Sequence, residues 1–196
     1  MSSLFFATME QLTPALLRGD LVACERGVAE QLKTLPRSPF HIVLDLAISN
    51  DPVDVGRHFD KFYSDESKRF KIAAAYTEMN GFDINPDRWY CDLFAYAADN
   101  GSDDYDWLSN WQSEPFEEYE INGLEDLQDV YASDAFKGGE FVDASYMSSL
   151  MVVVKFQQFM QKAASSMKKL HFPLYVTAHD FTFIAALPPN RSSEKV

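Results

Sequence analysis

Cysteine is nearly absent from this chain. Cys24 and Cys91 are the only two, and they are far apart and form no C-x-x-C pair. A disulfide framework is therefore not indicated, and in a reducing cytoplasm both are expected as buried thiols. Glycine is sparse as well. Only eight occur in 196 residues, and none falls into the spacing of a phosphate-cradling P-loop or a dinucleotide fingerprint. G-x-S-x-G and H-E-x-x-H are also missing. Long apolar runs are lacking: the longest aliphatic stretch covers 150–154, far short of the roughly 20 residues that cross a bilayer. The first ten residues have no basic n-region and no long apolar h-region, so a secretory signal is not expected. Helix-start signals recur without a fixed period, which argues against a repeat architecture.

The most informative absence is basic charge. No Lys or Arg occurs between Arg88 and Lys137. Residues 83–134 hold fifteen carboxylates against one base, Arg88, for a net charge of −14, whereas the whole chain carries −13. Everything outside the span therefore sums to +1, and the acidity is local. With a pI near 4.6 the chain lacks the basic footprint that phosphate contacts require, so nucleic acid is not an expected partner. A basic protein is. All three tryptophans, Trp89, Trp107 and Trp111, lie in the same span, interleaved with its acids.

What is present is enough to fold. Hydrophobic residues make up 46% and aromatics 14% of the chain, which argues for one packed domain over 1–187. Residues 188–196, Pro-Pro-Asn-Arg-Ser-Ser-Glu-Lys-Val, read as a mobile tail. Thr13-Pro14, Ser38-Pro39 and Asp51-Pro52 each offer an oxygen at N-cap and proline at N1, so three helix starts are expected there. Gly19 is placed to close the first helix and Asp20 to cap the next. Short linkers imply antiparallel neighbours. After Arg69 the pattern changes. Residues 70–79 and 89–97 read as an antiparallel strand pair joined through Asn80-Gly81, with 89–97 aromatic on both faces and hence central. A loop over 99–106, a short helix carrying Tyr105, Leu108 and Trp111, a third strand near 116–121 and a helix through Leu124 and Tyr131 follow. A long helix is predicted over 144–169, capped by Asp143, its apolar stripe wide enough for burial on more than one side. Lys168 and Lys169 would complement its dipole. Residues 174–178 and 181–185 read as sheet. The expected fold class is α+β: N-terminal antiparallel helices, a small, mainly antiparallel sheet of about four to five strands, and one long buried helix in the C-terminal half.

Chemical motifs are thin. Asp83-x-Asn85-x-Asp87 opens like a calcium loop, but Arg88 stands where glycine makes the turn and Phe94 where a bidentate Glu closes the site. A frame starting at Asp99 fails in the same way, at Asp104 and Asn110. No metal or cofactor is expected, and turn-capping side chains account for these loops. His41 and Asp45 are spaced to share a helix face, His58 and Asp60 are not, and His179-Asp180 falls between two apolar segments. The default for each histidine is a structural role, in the core or at a sheet edge. Glu117-Glu118 reads as a solvated face.

The leading expectation is a non-catalytic binding domain. A solubility surface normally mixes signs, whereas here aromatic side chains are ringed by acid alone, as an interface to a basic protein requires. The expected partner-binding residues are Asp99, Asp103, Asp104, Asp106, Trp107, Trp111, Glu114, Glu117 and Glu118. In composition, though in no motif, the chain is similar to the small acidic immunity proteins that mask a toxin, and that similarity implies an inhibitor of a basic protein. The alternative is a hydrolase or metal-dependent enzyme using His and Asp/Glu. It requires a concave pocket in which His179-Asp180 or His41-Asp45 meets other carboxylates.

Overall fold

The computed structural model describes residues 2–82, 84–133 and 139–190. Helix α1 (Ser3–Leu17) starts earlier than expected, at Ser2, whose hydroxyl accepts from the Phe5 amide. Phe5, Thr8, Leu12, Ala15 and Leu16 are its buried stripe. That stripe runs through Thr13-Pro14, which sits inside the helix and does not begin it. The Thr13 hydroxyl donates to the Met9 carbonyl instead of capping. The end is as expected. Gly19 has φ +70, and the Gly19 and Asp20 amides donate to the Leu16 and Ala15 carbonyls in a Schellman arrangement. Asp20 then caps α2 (Leu21–Thr34), accepting from the Ala23 amide.

Ser38-Pro39 opens a short 3-10 helix (Pro39–Leu44) rather than an α-helix. Asp51-Pro52 opens α3 (Pro52–Glu66), with the Asp51 carboxylate accepting from the Val53 amide. These elements surround α5 (Val142–Ala164), which is buried around most of its circumference, from Leu150 to Phe156 to Ala163. Two expectations about this helix fail at its ends. Its N-cap is Phe141, and Asp143 lies in the first turn, where its charge still suits the dipole. It stops at Ala164 because the following chain has other partners. The Lys168 and Lys169 amides both donate to the Asp60 carboxylate of α3 at 2.8 Å. Asn190 donates from its side chain to the Ala164 and Met167 carbonyls. Of the segment read as a tail, Asn190 is thus tied to the end of α5, and 191–196 lie outside the described residues.

The sheet is mixed, with five strands in the order β3-β2-β1-β4-β5. β1 (Ala74–Met79) and β2 (Tyr90–Tyr96) pair antiparallel as expected, with Glu78 opposite Asp92 and Ala74 opposite Tyr96. β3 is only Tyr119–Glu120, on the edge of β2. The helix through Leu127 and Tyr131 is α4 (Glu125–Ala132). β4 (Leu174–Ala178) runs parallel to β1, because the long excursion through α4 and α5 supplies the crossover that parallel strands need. β5 (Ala185–Leu187) is its antiparallel partner. Only the end of the predicted 181–185 strand is sheet.

Alternation then sorts the strands into two faces. Ala75, Met79, Cys91, Leu93, Leu174 and Val176 join the helices in the main core. Gln157 of α5 donates from its amide to the Val176 and Phe183 carbonyls, which fixes helix to sheet. Tyr76, Tyr96 and Tyr175 point the other way, into a second, smaller cluster that Phe94, Tyr105 and Trp107 pack against. No helix of the described residues is long and apolar enough to cross a membrane.

Candidate binding surface on the outer sheet face

The acidic segment is the cover of that second cluster. Residues 99–111 fold back over one half of the outer face and are pinned by side chains that the sheet itself supplies. The Tyr96 hydroxyl donates to the Leu108 carbonyl at 2.7 Å, and the Tyr175 hydroxyl donates to Asp99 at 2.9 Å. Trp107 sits edge-on to both rings, at 4.8 Å from Tyr96 and 5.4 Å from Tyr175, with its indole N–H donating to the Gly101 carbonyl. A 3-10 turn (Asp106–Ser109) carries it.

The nine expected contact residues therefore divide. Trp107 is part of the lid, and Asp99 serves as its anchor, accepting also from the Gly101 amide. Asp103, Asp104 and Asp106 are exposed on the lid's surface, with Asp104 also accepting from the Asp106 amide. Trp111 is 50% exposed and rests against Phe94 at 4.9 Å. Glu114 is paired with Arg69 and Glu118 with Arg88, both at 2.7 Å, and Glu117 is exposed.

Among the described residues this lid does not cover the other half of the outer face, where Trp111 and His179 are joined by Tyr76 and Glu78, which the sequence did not single out as site residues. Beside Trp111 is a groove of about 280 Å³, lined by Tyr76, Glu78, Phe94, Leu108, Ser109, Trp111 and His179. The Tyr76 hydroxyl donates to one oxygen of Glu78 at 2.6 Å. The other oxygen of Glu78 lies 3.5 Å from Nδ1 of His179, whose Nε2 is 3.8 Å from Asp180. His179 reaches this position because its amide donates to the Met79 carbonyl, extending the β1–β4 ladder by one residue. Asp180 has φ +65, a left-handed conformation that Asp tolerates at a turn.

Asp92 lies across from Glu78 and faces the same side. Burial, then the charges of Glu118 and Glu78, push its carboxyl up from 3.8 to about 6, opposed by Arg88 and His179. Arg88 does little to relieve it, because its guanidinium is engaged by Glu118 and, at 3.5 Å, by Glu120. Burial and the neighbouring Glu78 also push the Tyr76 phenol far up, so it stays a hydrogen-bond donor. The alternation of Tyr76 with Glu78, and of Asp92 with Phe94, was the sequence signal for this surface: two strands each placing a carboxylate on the aromatic side.

The remaining histidine pairs do not converge. His41 is 3% exposed, with one ring nitrogen at 3.0 Å from the Ser38 hydroxyl and the other at 2.9 Å from the Leu32 carbonyl, so Asp45 is not its partner. The tighter 3-10 winding removes the shared α-helical face on which that pairing depended. His58 is held between Phe116 and Tyr119, each ring 5.1 Å away, with Nε2 at 2.8 Å from the Glu117 carbonyl, and burial lowers its pKa. Cys24 and Cys91 are buried thiols as expected, pushed up by burial to about 11 and about 12. Among the described residues no three His, Cys, Asp or Glu side chains stand together as a metal site. Comparison with protein-family models, with curated proteins and with solved structures finds no match to this chain.

Proposed function

We propose that this chain is a non-catalytic protein-binding domain whose acidic outer face recognises a basic protein, in the manner of an immunity or inhibitor protein that neutralises a toxin. One observation carries the reading. An exposed tryptophan, Trp111, lines one groove with Glu78, which stands opposite Asp92 on the sheet, and follows the segment that carries the exposed acids Asp103, Asp104 and Asp106. An aromatic anchor ringed by one sign of charge is what a steered, fast-associating interface needs: the carboxylates raise the encounter rate and the ring supplies buried area at the centre. Like charges held this close cost stability, and a cationic partner relieves the cost.

The test is kinetic. Host proteins retained on the immobilised chain and released by a salt gradient are purified, and their association rates are measured from about 50 to about 300 mM salt. With Asp103, Asp104 and Asp106 all changed to Asn, the rate should fall and its salt dependence flatten. An on-rate indifferent to both salt and the triple change would end the proposal. A second reading draws on the Tyr76–Glu78–His179 string: acid–base chemistry in the groove. It requires a turnover that His179→Ala abolishes and the triple Asn variant retains.

A further inference from the structure

The groove beside Trp111 joins aromatic walls to a carboxylate. Its walls are aromatic: Tyr76 and Phe94 are stacked at 5.7 Å and 26°, and Trp111 packs on Phe94. Its polar lining is Glu78, His179 and Ser109, of which Glu78 is the one carboxylate. Glu78, whose side chain is 20% exposed, lines it, and Asp92 stands directly opposite Glu78 in the β1–β2 register. Asp180 adds a third acid beside His179, and the Arg88 guanidinium is occupied by Glu118 and Glu120, which do not line the groove.

Charge decides the class of ligand. An anion would meet Glu78 in the groove, with Asp92 next to it across the strand pair. An apolar side chain would fill the space but strip water from the Glu78 carboxylate and offer nothing in return, an unfavourable exchange. A cation satisfies both surfaces, because aromatic faces attract it and carboxylates accept its hydrogen bonds. Geometry narrows the choice further. Side chains directly opposite in an antiparallel pair have Cβ atoms about 5 Å apart, so Glu78 and Asp92 present adjacent acceptors. A planar guanidinium can stack on an indole and donate to two carboxylates at once, whereas an ammonium is a compact, strongly hydrated point charge. Resting on the basic-partner reading, we infer that this groove seats a single arginine side chain of that partner, its guanidinium against Trp111 and bridging Glu78 and Asp92.

The three indole N–H groups provide the readout. Those of Trp89 and Trp107 donate to the Phe82 and Gly101 carbonyls and serve as internal references, and Trp111 reports on the groove. The full chain is titrated with N-acetyl-arginine amide, N-acetyl-lysine amide and the neutral isostere N-acetyl-citrulline amide, and ¹H–¹⁵N spectra are recorded. A saturable shift of the Trp111 signal is expected with the arginine probe, half complete on the order of 10 mM. The lysine probe should bind several-fold more weakly and the citrulline probe should leave the signal in place. Glu78→Gln and Asp92→Asn should each weaken the arginine probe about five- to twenty-fold, while the Asp103, Asp104, Asp106 triple Asn variant should leave it within about two-fold, since these acids are exposed, screened and not part of the groove lining.

Equal shifts with citrulline or lysine, or no saturable shift at all, would overturn the assignment. A second titration, with a nine-residue peptide of alternating arginine and serine, separates this inference from the reading beneath it. Salt-sensitive peptide binding that ignores Glu78→Gln and Asp92→Asn overturns the groove and leaves the basic-partner reading standing. A peptide no tighter than arginine amide supports the groove and counts against a basic-protein interface.

Discussion

Asp92→Asn is expected to make this protein more stable and less able to bind, and the two effects can be measured separately. The carboxyl of Asp92 is raised from 3.8 to about 6, first by burial and then by Glu118 and Glu78, against the smaller opposing pull of Arg88 and His179. The sign follows from proton linkage. Below pH 3.8 the group is protonated in both states and contributes nothing. Between 3.8 and about 6 the unfolded chain has lost the proton that the folded chain keeps, so stability falls as pH rises. Above about 6 the cost is constant. Taken at full value, about two pH units amount to about 3 kcal/mol, but solvent screens a half-exposed carboxyl, and about 1 kcal/mol is the expected size. Asparagine keeps the shape and removes the charge. Urea unfolding should therefore show little difference between variant and wild type at about pH 4, and a gain of about 1 kcal/mol for the variant at about pH 7.5. The same variant should bind arginine amide more weakly. A variant that is less stable at the higher pH, or a difference that does not change with pH, would refute the electrostatic account of this face.

Two further expectations test the architecture that builds the face. Gly123 has φ +98, and a Cβ there would lie 2.3 Å from the Ala47 carbonyl oxygen, whereas Gly101, at φ +77, has open space around it. Gly123→Ala should cost well over twice the roughly 1–2 kcal/mol of strain that Gly101→Ala incurs, as read by denaturant midpoints. Trp107→Ala should destabilise by about 2–3 kcal/mol and change the near-UV signal of Tyr96 and Tyr175, because it removes the ring that closes the second cluster. Trp111→Ala should stay within about 1 kcal/mol; equal costs for the two would mean that the lid and the groove wall have been wrongly distinguished.

Much of the fold was legible from local chemistry. Gly19 followed by Asp20 marks a helix end and the next start because both roles depend on a few adjacent atoms. Asp51-Pro52 works for the same reason. Thr13-Pro14 carries the same signature and misleads, because a capping pair cannot reveal that an apolar stripe already runs through it from Phe5. The C-terminal end of α5 falls short of the expected 169 because Asp60, more than a hundred residues earlier, takes the amides of Lys168 and Lys169. Sequence periodicity sees a stripe but not a distant competitor for its backbone.

The sequence alone determined that the acid is concentrated in one span, that segments 70–79 and 89–97 are an antiparallel strand pair, trimmed in the structure to 74–79 and 90–96, and that one helix is buried on most sides. These show in composition and in periods two to four residues long, which mark where the charge, the strands and the apolar stripe lie along the chain. Tertiary structure decided what the acidic span does. It folded Trp107 inward against Tyr96 and Tyr175, left Trp111 outside, and set Glu78 opposite Asp92 through strand register. It also brought His179 to Glu78 by laying β4 parallel to β1. Each of these depends on which strand neighbours which, and strand order is set only when the crossover through α5 packs against the sheet's inner face.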